Sequence, residues 1–381
     1  MRQAIVPCGE ILEMVIEGGA KDLLSCYQCG TCTGSCPWGL VGHLGIRNMI
    51  RLAMLGQEGF EGEDVWKCTT CNTCVDRCPR KIEIIDVFRS IRSQLAEAGT
   101  IPRTLRTALS SITTNGNPWL GDRGERTGWL KGLEVKHISD KSTSTLYFTC
   151  CTPAYDPRVR KTAHATARVL QAAGIDFGIL GNEASCCGDP SHRIGNVEQY
   201  ESLSAKNLEL FEKYGVREII AGSPHCLNMF KKYYGDLSAV RVRSTTEVVA
   251  EALEKGKLKL SKPVEATVSY HDACYLGRHN GIYDPPRRIL EAVPGLKFVE
   301  MVRNRENALC CGGGGGGIWQ ESKKGERFSE VRVNEAIEIG AGILATACPY
   351  CVVMLEDGLK STELGEKLRI MDLAEIVAEA L

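Results

Sequence analysis

The stretch ALCCGGGGGGIWQ, Ala308 to Gln320, runs two adjacent cysteines into six consecutive glycines, Gly312 to Gly317. A glycine run taken alone reads as a flexible linker. A second stretch argues against that. SCCGDP, Ser185 to Pro190, carries the same cysteine pair 124 residues earlier, counted from Cys187 to Cys311. Two further landmarks repeat at nearly the same offset. LYFTCC (146–151) precedes VSYHDAC (268–274), with Cys151 and Cys274 separated by 123 residues. SPHCLNM (223–229) precedes CPYC (348–351), with Cys226 and Cys348 separated by 122. Agreement at three landmarks marks an internal repeat.

Each landmark follows a short apolar, β-branched run: TLYFT, IDFGIL and REIIAGS in the first copy, ATVSY, LKFVEMV and AGILATA in the second. Amphipathic stretches at 157–173, 197–214, 284–293 and 327–340 alternate with them. Strands alternating with helices predict parallel α/β layers. Ligands in such layers gather beyond the carboxyl ends of the strands, so each copy should close one cysteine-lined pocket. Adjacent cysteines suit that purpose. Their α-carbons stand about 3.8 Å apart, short of the roughly 4.4 Å a disulfide needs.

The chain has 381 residues, a net charge of -1, 43% hydrophobic and 24% charged residues. Such a composition is that of a globular protein with two or three domains. The charge gives no footing for nucleic acid or an anionic membrane. No apolar run reaches the roughly 18 residues of a membrane span. MRQAIVPCGEILEMVIEGG at the N-terminus has glutamates within its apolar pattern and does not read as a signal peptide, so a cytoplasmic protein is expected. The 19 cysteines are the outlier. An odd number without an export signal favours metal over a disulfide framework. Buried structural cysteines would be scattered, and these come in sets.

Two sets lie near the N-terminus, CYQCGTCTGSCP (26–37) and CTTCNTCVDRCP (68–79). Both have the C-x2-C-x2-C-x3-C-P spacing of bacterial ferredoxins, in which the fourth cysteine ligates the other cluster. The expected sets are therefore Cys26, Cys29, Cys32 and Cys78 for one [4Fe-4S] cubane, and Cys68, Cys71, Cys74 and Cys36 for a second. Zinc ribbons use pairs of cysteines instead. Cys8 lies outside the pattern and is expected to be a free, buried thiol. Leu44, Met49, Ile50, Ala53 and Met54 form a helical stripe between the runs, with His43 an ordinary histidine beside it. A further helix is expected after Pro79, ending near Gly99. The N-terminal unit is thus read as helical over 1–99, followed by a connection at 100–145, a first α/β copy at 146–260 and a second at 261–381. The connection is long enough that partial structure or a partner contact is expected in it.

These residues resemble the CCG domain family, and the chain as a whole resembles D-type heterodisulfide reductase proteins, in which a ferredoxin-like module is fused to two CCG domains. The resemblance implies an α+β protein: an α-helical ferredoxin-like domain and two α/β CCG domains. It also implies that a complete CCG domain holds a noncubane [4Fe-4S] cluster on five cysteines and reduces a disulfide by binding each sulfur at an iron. The second copy matches through Cys274, Cys310, Cys311, Cys348 and Cys351, with Gly312 and Gly313 against the cofactor. The first matches through Cys151, Cys186, Cys187 and Cys226. Met229 falls where Cys351 would be, and Cys150 is either a spare thiol or a substitute fifth. A cubane is therefore expected in the first copy. Two functions are implied. One is electron transfer within an anaerobic multi-subunit complex with flavin- or iron–sulfur-containing partners, as in benzoyl-CoA reductase-type assemblies. The other is a thiol–disulfide oxidoreductase acting on a small disulfide or thiol.

His225 and His271, next to cysteines, are candidates for hydrogen bonding to cluster sulfur or for protonating a thiolate. The arginines of DPRVRKT (156–162) and DPPRRIL (284–290) are expected on solvated faces behind helix starts. A phosphate loop is excluded at Gly312–Gly317, since no Lys-Ser/Thr follows it.

Overall fold

The two copies of the repeat build two parallel sheets of matching order. The computed structural model describes residues 6–140, 143–235, 237–362 and 364–381. In the first copy β1 (Thr145–Phe148), β2 (Glu218–Ala221) and β3 (Arg241–Ser244) pair in the order β1-β2-β3. In the second, β4 (Ala266–His271), β5 (Leu296–Phe298), β6 (Ile343–Thr346) and β7 (Arg369–Asp372) pair in the order β5-β4-β6-β7. The counterpart of β5, expected within IDFGIL, is reduced to single bridges of Gly178 to Leu146 and Ile179 to His137. Residues 136–138 occupy that edge: Ile138 N donates to Ile179 O at 2.9 Å and Ile179 N to Lys136 O at 3.1 Å.

Helices form at Arg160–Ala172, Val197–Lys213, Asp284–Ala292 and Phe328–Glu338, inside the four amphipathic stretches. Two more, Thr245–Glu254 and Leu373–Glu379, follow β3 and β7 directly. Each begins with a capping box, Ser244 with Glu247 and Asp372 with Glu375. Both are S/D-x-x-E signals legible in the sequence.

The N-terminal unit is helical, with helices Gly9–Glu17, Ile46–Met54 and Ile84–Glu97. The expected stripe is the buried face of the second: Ile46, Met49, Ile50 and Ala53 are in the core, with Leu44 just ahead of it. Both cysteine runs fold alike. Gln28 and Thr70 have positive φ at matching places, as do Gly30 and Asn72, and each run then enters a short helix, Thr31–Ser35 or Thr73–Asp76. Positive φ at a β-branched threonine costs about 1–3 kcal/mol. That cost is tolerated where a loop must present thiols to one point. Cys8 is half-buried.

Residues 100–145 do more than connect. They hold a 13-residue helix, Arg103–Asn115, whose Leu105, Ala108, Leu109 and Ile112 are buried, and Trp129 and Ile138 are buried after it. At the two arginine-bearing helix starts, Arg158 and Arg287 depart from expectation. Arg158 pairs with Glu356 and with Glu375 (2.7 Å), tying the first copy to the second. Arg287 is buried in a two-pronged pair with Asp272 at 2.9 Å and also bonds Glu300. Acidic residues distant in sequence fold over both guanidiniums, burying Arg287 and leaving Arg158 27% exposed, whereas Arg288 is 50% exposed, as expected.

Arg92 joins all three units. Its side chain is fully buried and its five N–H donors are all used. It donates to Val65 O (2.8 and 3.1 Å) and Cys68 O (2.8 Å) in the N-terminal unit, to Arg193 O (3.0 Å) in the first copy and to Gly315 O (2.9 Å) in the second. Arg92→Ala should cost about 3 kcal/mol or more, since each orphaned buried carbonyl carries a penalty. Arg92→Lys should recover only part, because one ammonium cannot span these acceptors. Anaerobic thermal unfolding measures both, and an unchanged midpoint for Arg92→Ala would contradict the assignment.

Candidate metal centres

All 19 cysteines are free, and all but Cys8, Cys26, Cys29 and Cys36 are buried. In the second copy β4 delivers Cys274 in the turn just after its carboxyl end. Cys310 and Cys311 come from the loop after Arg305–Asn307. Cys348 is the N-cap of the helix Pro349–Ser361, and Cys351 lies in its first turn. The thiols form a chain of contacts: Cys274 to Cys310, Cys310 to Cys311, Cys311 to Cys351 and Cys351 to Cys348. Cys351 Sγ and Cys311 Sγ are 3.2 Å apart and unbonded. Gly312 N donates to Cys310 Sγ at 3.3 Å, and a Cβ on Gly313 would stand 3.8 Å from Cys311 Sγ.

The first copy repeats the chain. Cys151 meets Cys186, Cys186 meets Cys187, and Cys187 meets Cys226. Its helix Pro224–Lys232 begins at N-cap Ser223, as the second-copy helix begins at N-cap Cys348. Strand register agrees, with Glu218 in β2 matching Ile343 in β6. SPHC therefore superposes on CPYC: Ser223 on Cys348, Cys226 on Cys351. The placement of Met229 opposite Cys351 is thereby corrected. Matching cysteine to cysteine sets the wrong offset, whereas the proline that starts both helices fixes it. Met229 matches Met354, and the position without a thiol is Ser223.

Histidines and arginines surround these chains. His225 Nδ1 lies 2.9 Å from Asp189 Oδ2. Burial pulls its pKa down, but Asp189 and Cys348 outweigh burial and hold it up at about 10. His225 thus touches the second-copy chain through Cys348 while adjoining Cys226 of the first. His271 is fully buried, and burial together with Arg332 pushes its pKa down to about 3. Its Nδ1 accepts from Arg332 Nε at 3.2 Å, which leaves the proton on Nε2, an atom with no partner among the described residues. A ring nitrogen of His271 and the Sγ atoms of Cys311 and Cys351 lie within 4.8 Å of one another. Arg126, from the segment expected as a connection, directs both terminal nitrogens at Cys151 Sγ at 3.6 Å. Nothing in the local sequence around Arg126 signals that role.

In the N-terminal unit the second run is buried and the first is nearer the surface, with Cys29 exposed. Burial pushes the pKa of Cys36 up, and its charged neighbours are Cys71 and Cys68. Exposed Tyr27 senses Cys29 and Cys78 together. Cys36 thus feels the charge of the second run, and Tyr27 of the first run feels that of Cys78. The second run is clamped by the second copy. Arg278 Nε donates to Cys71 O (2.6 Å), His279 Nε2 meets Thr70 O (2.8 Å), and Thr70 Oγ1 meets Tyr275 OH (2.8 Å). Thr69 Oγ1 lies 3.6 Å from Cys310 Sγ, and Cys71 and Cys310 pack in one buried cluster.

The glycine run makes this clamp possible. A Cβ on Gly314 would meet Thr69 O at 2.4 Å, one on Gly315 would meet Cys68 O at 2.2 Å, and one on Gly316 would meet Leu105 at 2.8 Å. The space left at Gly314 and Gly315 is filled by the N-terminal unit, and that at Gly316 by Leu105 of the helix after it. Gly312 instead borders a groove of about 1520 Å³ that reaches Cys311 and passes Trp38, Thr69, Phe328 and Met354.

These donors fit iron–sulfur clusters. Crowded, water-poor thiols have little but each other to bond, and soft thiolates select iron–sulfur clusters among other soft-metal centres.

Comparison with known proteins agrees. The model of the cysteine-rich domain matches residues 145–231 and 268–356, and that of the 4Fe-4S dicluster domain matches residues 25–83. The D-type chain of the dihydromethanophenazine:CoB–CoM heterodisulfide reductase of Methanosarcina barkeri is 35% identical over 84% of this chain and 78% of its own length. The chain belongs to the D-type heterodisulfide reductase family. It is also similar to the probable iron-sulfur-binding oxidoreductase FadF of Bacillus subtilis, 37% identical over 84% of this chain, and to the EtfAB:quinone oxidoreductase of Syntrophomonas wolfei, 33% identical over 97%. The chain spans 47% and 60% of the length of those two relatives. No helix among the described residues is long and apolar enough to cross a membrane.

Two substitutions probe the geometry. Gly315→Ala should cost about 3 kcal/mol through overlap with Cys68 O and its left-handed φ. Gly99→Ala, also at positive φ but in open space, should cost only about 1 kcal/mol. Equal losses in unfolding midpoint would show that the clamp is not close-packed. Arg126→Gln removes a charged hydrogen-bond donor to Cys151 and should lower the potential of a cluster held there by up to roughly 100 mV, the equivalent of about 2 kcal/mol for one electron. An anaerobic redox titration reads this shift.

Proposed function

We propose that this chain is the electron-transfer component of a multi-subunit oxidoreductase, passing electrons between N-terminal cubanes and a noncubane cluster of the second CCG domain. In this reading Cys26, Cys29, Cys32 and Cys78 hold one [4Fe-4S] cubane, and Cys68, Cys71, Cys74 and Cys36 the other. Cys274, Cys310, Cys311, Cys348 and Cys351 hold the noncubane cluster, with Gly312 and Gly313 against it. Cys151, Cys186, Cys187 and Cys226 hold a further cluster. Bound there, these groups supply one-electron carriers.

The observation that carries the reading is the direct contact of Cys71 with Cys310, because it puts a ligand of one centre against a ligand of the next with no residue between them. The rest of the chain's contribution is insulation and orientation. Arg278 and Thr70 hold the Cys68–Cys71 loop on the second copy, and Arg92 locks the loop's carbonyls from behind. His271 carries its proton on Nε2, and the ring lies near Cys311 and Cys351, so this N–H is a candidate donor to a sulfur of a cluster held there. Entry is favoured at Cys29, where the run is exposed and Leu24 and Tyr27 are each 59% exposed beside it. A redox partner would dock there. The first-copy centre, reached through His225 and Cys348, acts as a further relay.

A second reading rests on the groove. It opens onto Cys311 and Gly312, so a small disulfide or thiol could reach the second-copy centre and be reduced there. The two readings part in one experiment on the anaerobically purified native complex. Under the transfer reading, Cys351→Ser removes one cluster signal, preserves the two ferredoxin-type signals, and stops electron flow through the complex. Added thiol leaves the oxidised protein's spectrum unchanged. Thiol-dependent paramagnetism with disulfide turnover would favour the second reading. Unchanged iron content and spectra in Cys351→Ser would refute the ligand assignment of both.

A further inference from the structure

We propose that Cys150 supplies a fifth thiolate to the first-copy centre, standing in for the cysteine that the second copy carries as Cys348 and the first replaces with Ser223. This rests on the reading that the first copy holds an iron–sulfur cluster, and it replaces the cubane expected from four cysteines with a five-cysteine site of the second-copy kind.

The argument begins with the superposed helix starts. The N-cap is Ser223 in one copy and Cys348 in the other, so the first copy lacks one sulfur. The register of β1 and β4 sets Cys151 against Cys274, and thus Cys150 against Ala273. The copies therefore differ by an exchange. Where the second has alanine and cysteine, the first has cysteine and serine. The total number of thiols is conserved although their origin is not.

The exchanged thiol also reaches the vacated place. In the second copy Cys348 ends the chain of contacts by meeting Cys351. In the first, Cys150 ends it by meeting Cys226, the residue that superposes on Cys351. Cys150 also lies close enough to Ser223, the residue in Cys348's position, for the serine to bear on its thiol. Both chains of five thiols thus run in the same order and close at the same end. Cys150 is buried and sits in one apolar cluster with Cys187, Cys226 and Met229, and a thioether there is a weak ligand beside a thiolate. Backbone geometry explains how one position can serve. Cys150 is the extended N-cap of the helix Cys151–Tyr155 (φ -60°, ψ 152°), so its side chain and that of Cys151 diverge and can approach different irons. On ligating, each thiol loses its proton to solvent and no electron moves.

The consequence is that the two CCG copies differ in access rather than in ligand number. The groove that borders Gly312 touches Cys311 and none of the first-copy cysteines.

The test reconstitutes the full chain anaerobically with 57Fe and sulfide and records iron per chain and the Mössbauer spectrum. Cys150→Ala should change the spectral component of one cluster and lose at most about four irons per chain, with the other components unchanged. The double variant Cys150→Ala/Ser223→Cys returns a thiol to the second-copy position and should restore the original spectrum. Cys150→Ala with unmodified iron content and spectrum would overturn the proposal. A double variant that stays at the level of the single one would overturn it too, since a packing role for Cys150 is not repaired by sulfur at Ser223. Cys226→Ala separates the levels. If it leaves iron and spectrum unchanged, the first copy holds no cluster and the underlying reading fails as well. If it loses the component while Cys150→Ala does not, only the fifth-ligand assignment falls.

Discussion

The Arg92 guanidinium is the constraint on which the arrangement of centres depends. Its donors are shared among carbonyls from the loop before the second cysteine run, from the first copy and from the glycine run of the second. Removing an arginine from water is expensive unless every donor is satisfied, and here each one is. The burial cost therefore favours one relative placement of three units, since any shift orphans a charged donor in an apolar setting. The Cys68 carbonyl is one acceptor and the Gly315 carbonyl another, so the same side chain sets the distance between a ferredoxin-type loop and a CCG loop.

The glycine run follows from that placement. Once the Cys68–Thr70 backbone is held against residues 314–316, no side chain fits at those positions, and two of them also take left-handed φ. Glycine is selected here by approach of backbone to backbone, a demand that Gly312 and Gly313 do not share. In the first copy the N-terminal unit approaches further along, where a Cβ on Gly195 would meet Ser93 N at 2.4 Å. Asp189 and Pro190 follow the single glycine of SCCGDP and start a helix, and Asp189 is used to hold His225.

Much of the site is legible in the sequence. The cysteine spacings mark both ferredoxin-type sets, and the repeat marks the parallel sheets and the cysteine pairs. What is not legible depends on contacts distant in sequence. Arg126, Arg278 and Arg92 look like surface arginines until residues 25, 207 and 223 positions away fold over them. The misplacement of Met229 has another cause. Identity of residue type aligns the copies poorly where backbone grammar is the better guide: the proline at the first turn of both helices, and the capping-box helices that follow β3 and β7. A ligand set can drift between positions while the elements that carry it stay in register.

That drift bears on how such a repeat can divide labour. The thiols of both copies form the same chain of contacts, so the fold constrains where sulfur must be more tightly than which residue provides it. Surroundings are less constrained. Cys151 of the first-copy chain meets the buried Arg126, whereas the second-copy chain has Arg278 near Cys274 and meets Cys71 and Thr69 of the N-terminal unit at Cys310. A positive neighbour stabilises the reduced, more negative state of a centre, and a second centre's thiolates do the reverse. Under the proposed ligand assignment, duplicated sites with equal ligands would be set at different potentials by what packs around each. A gradient between them then needs no change in the ligands themselves.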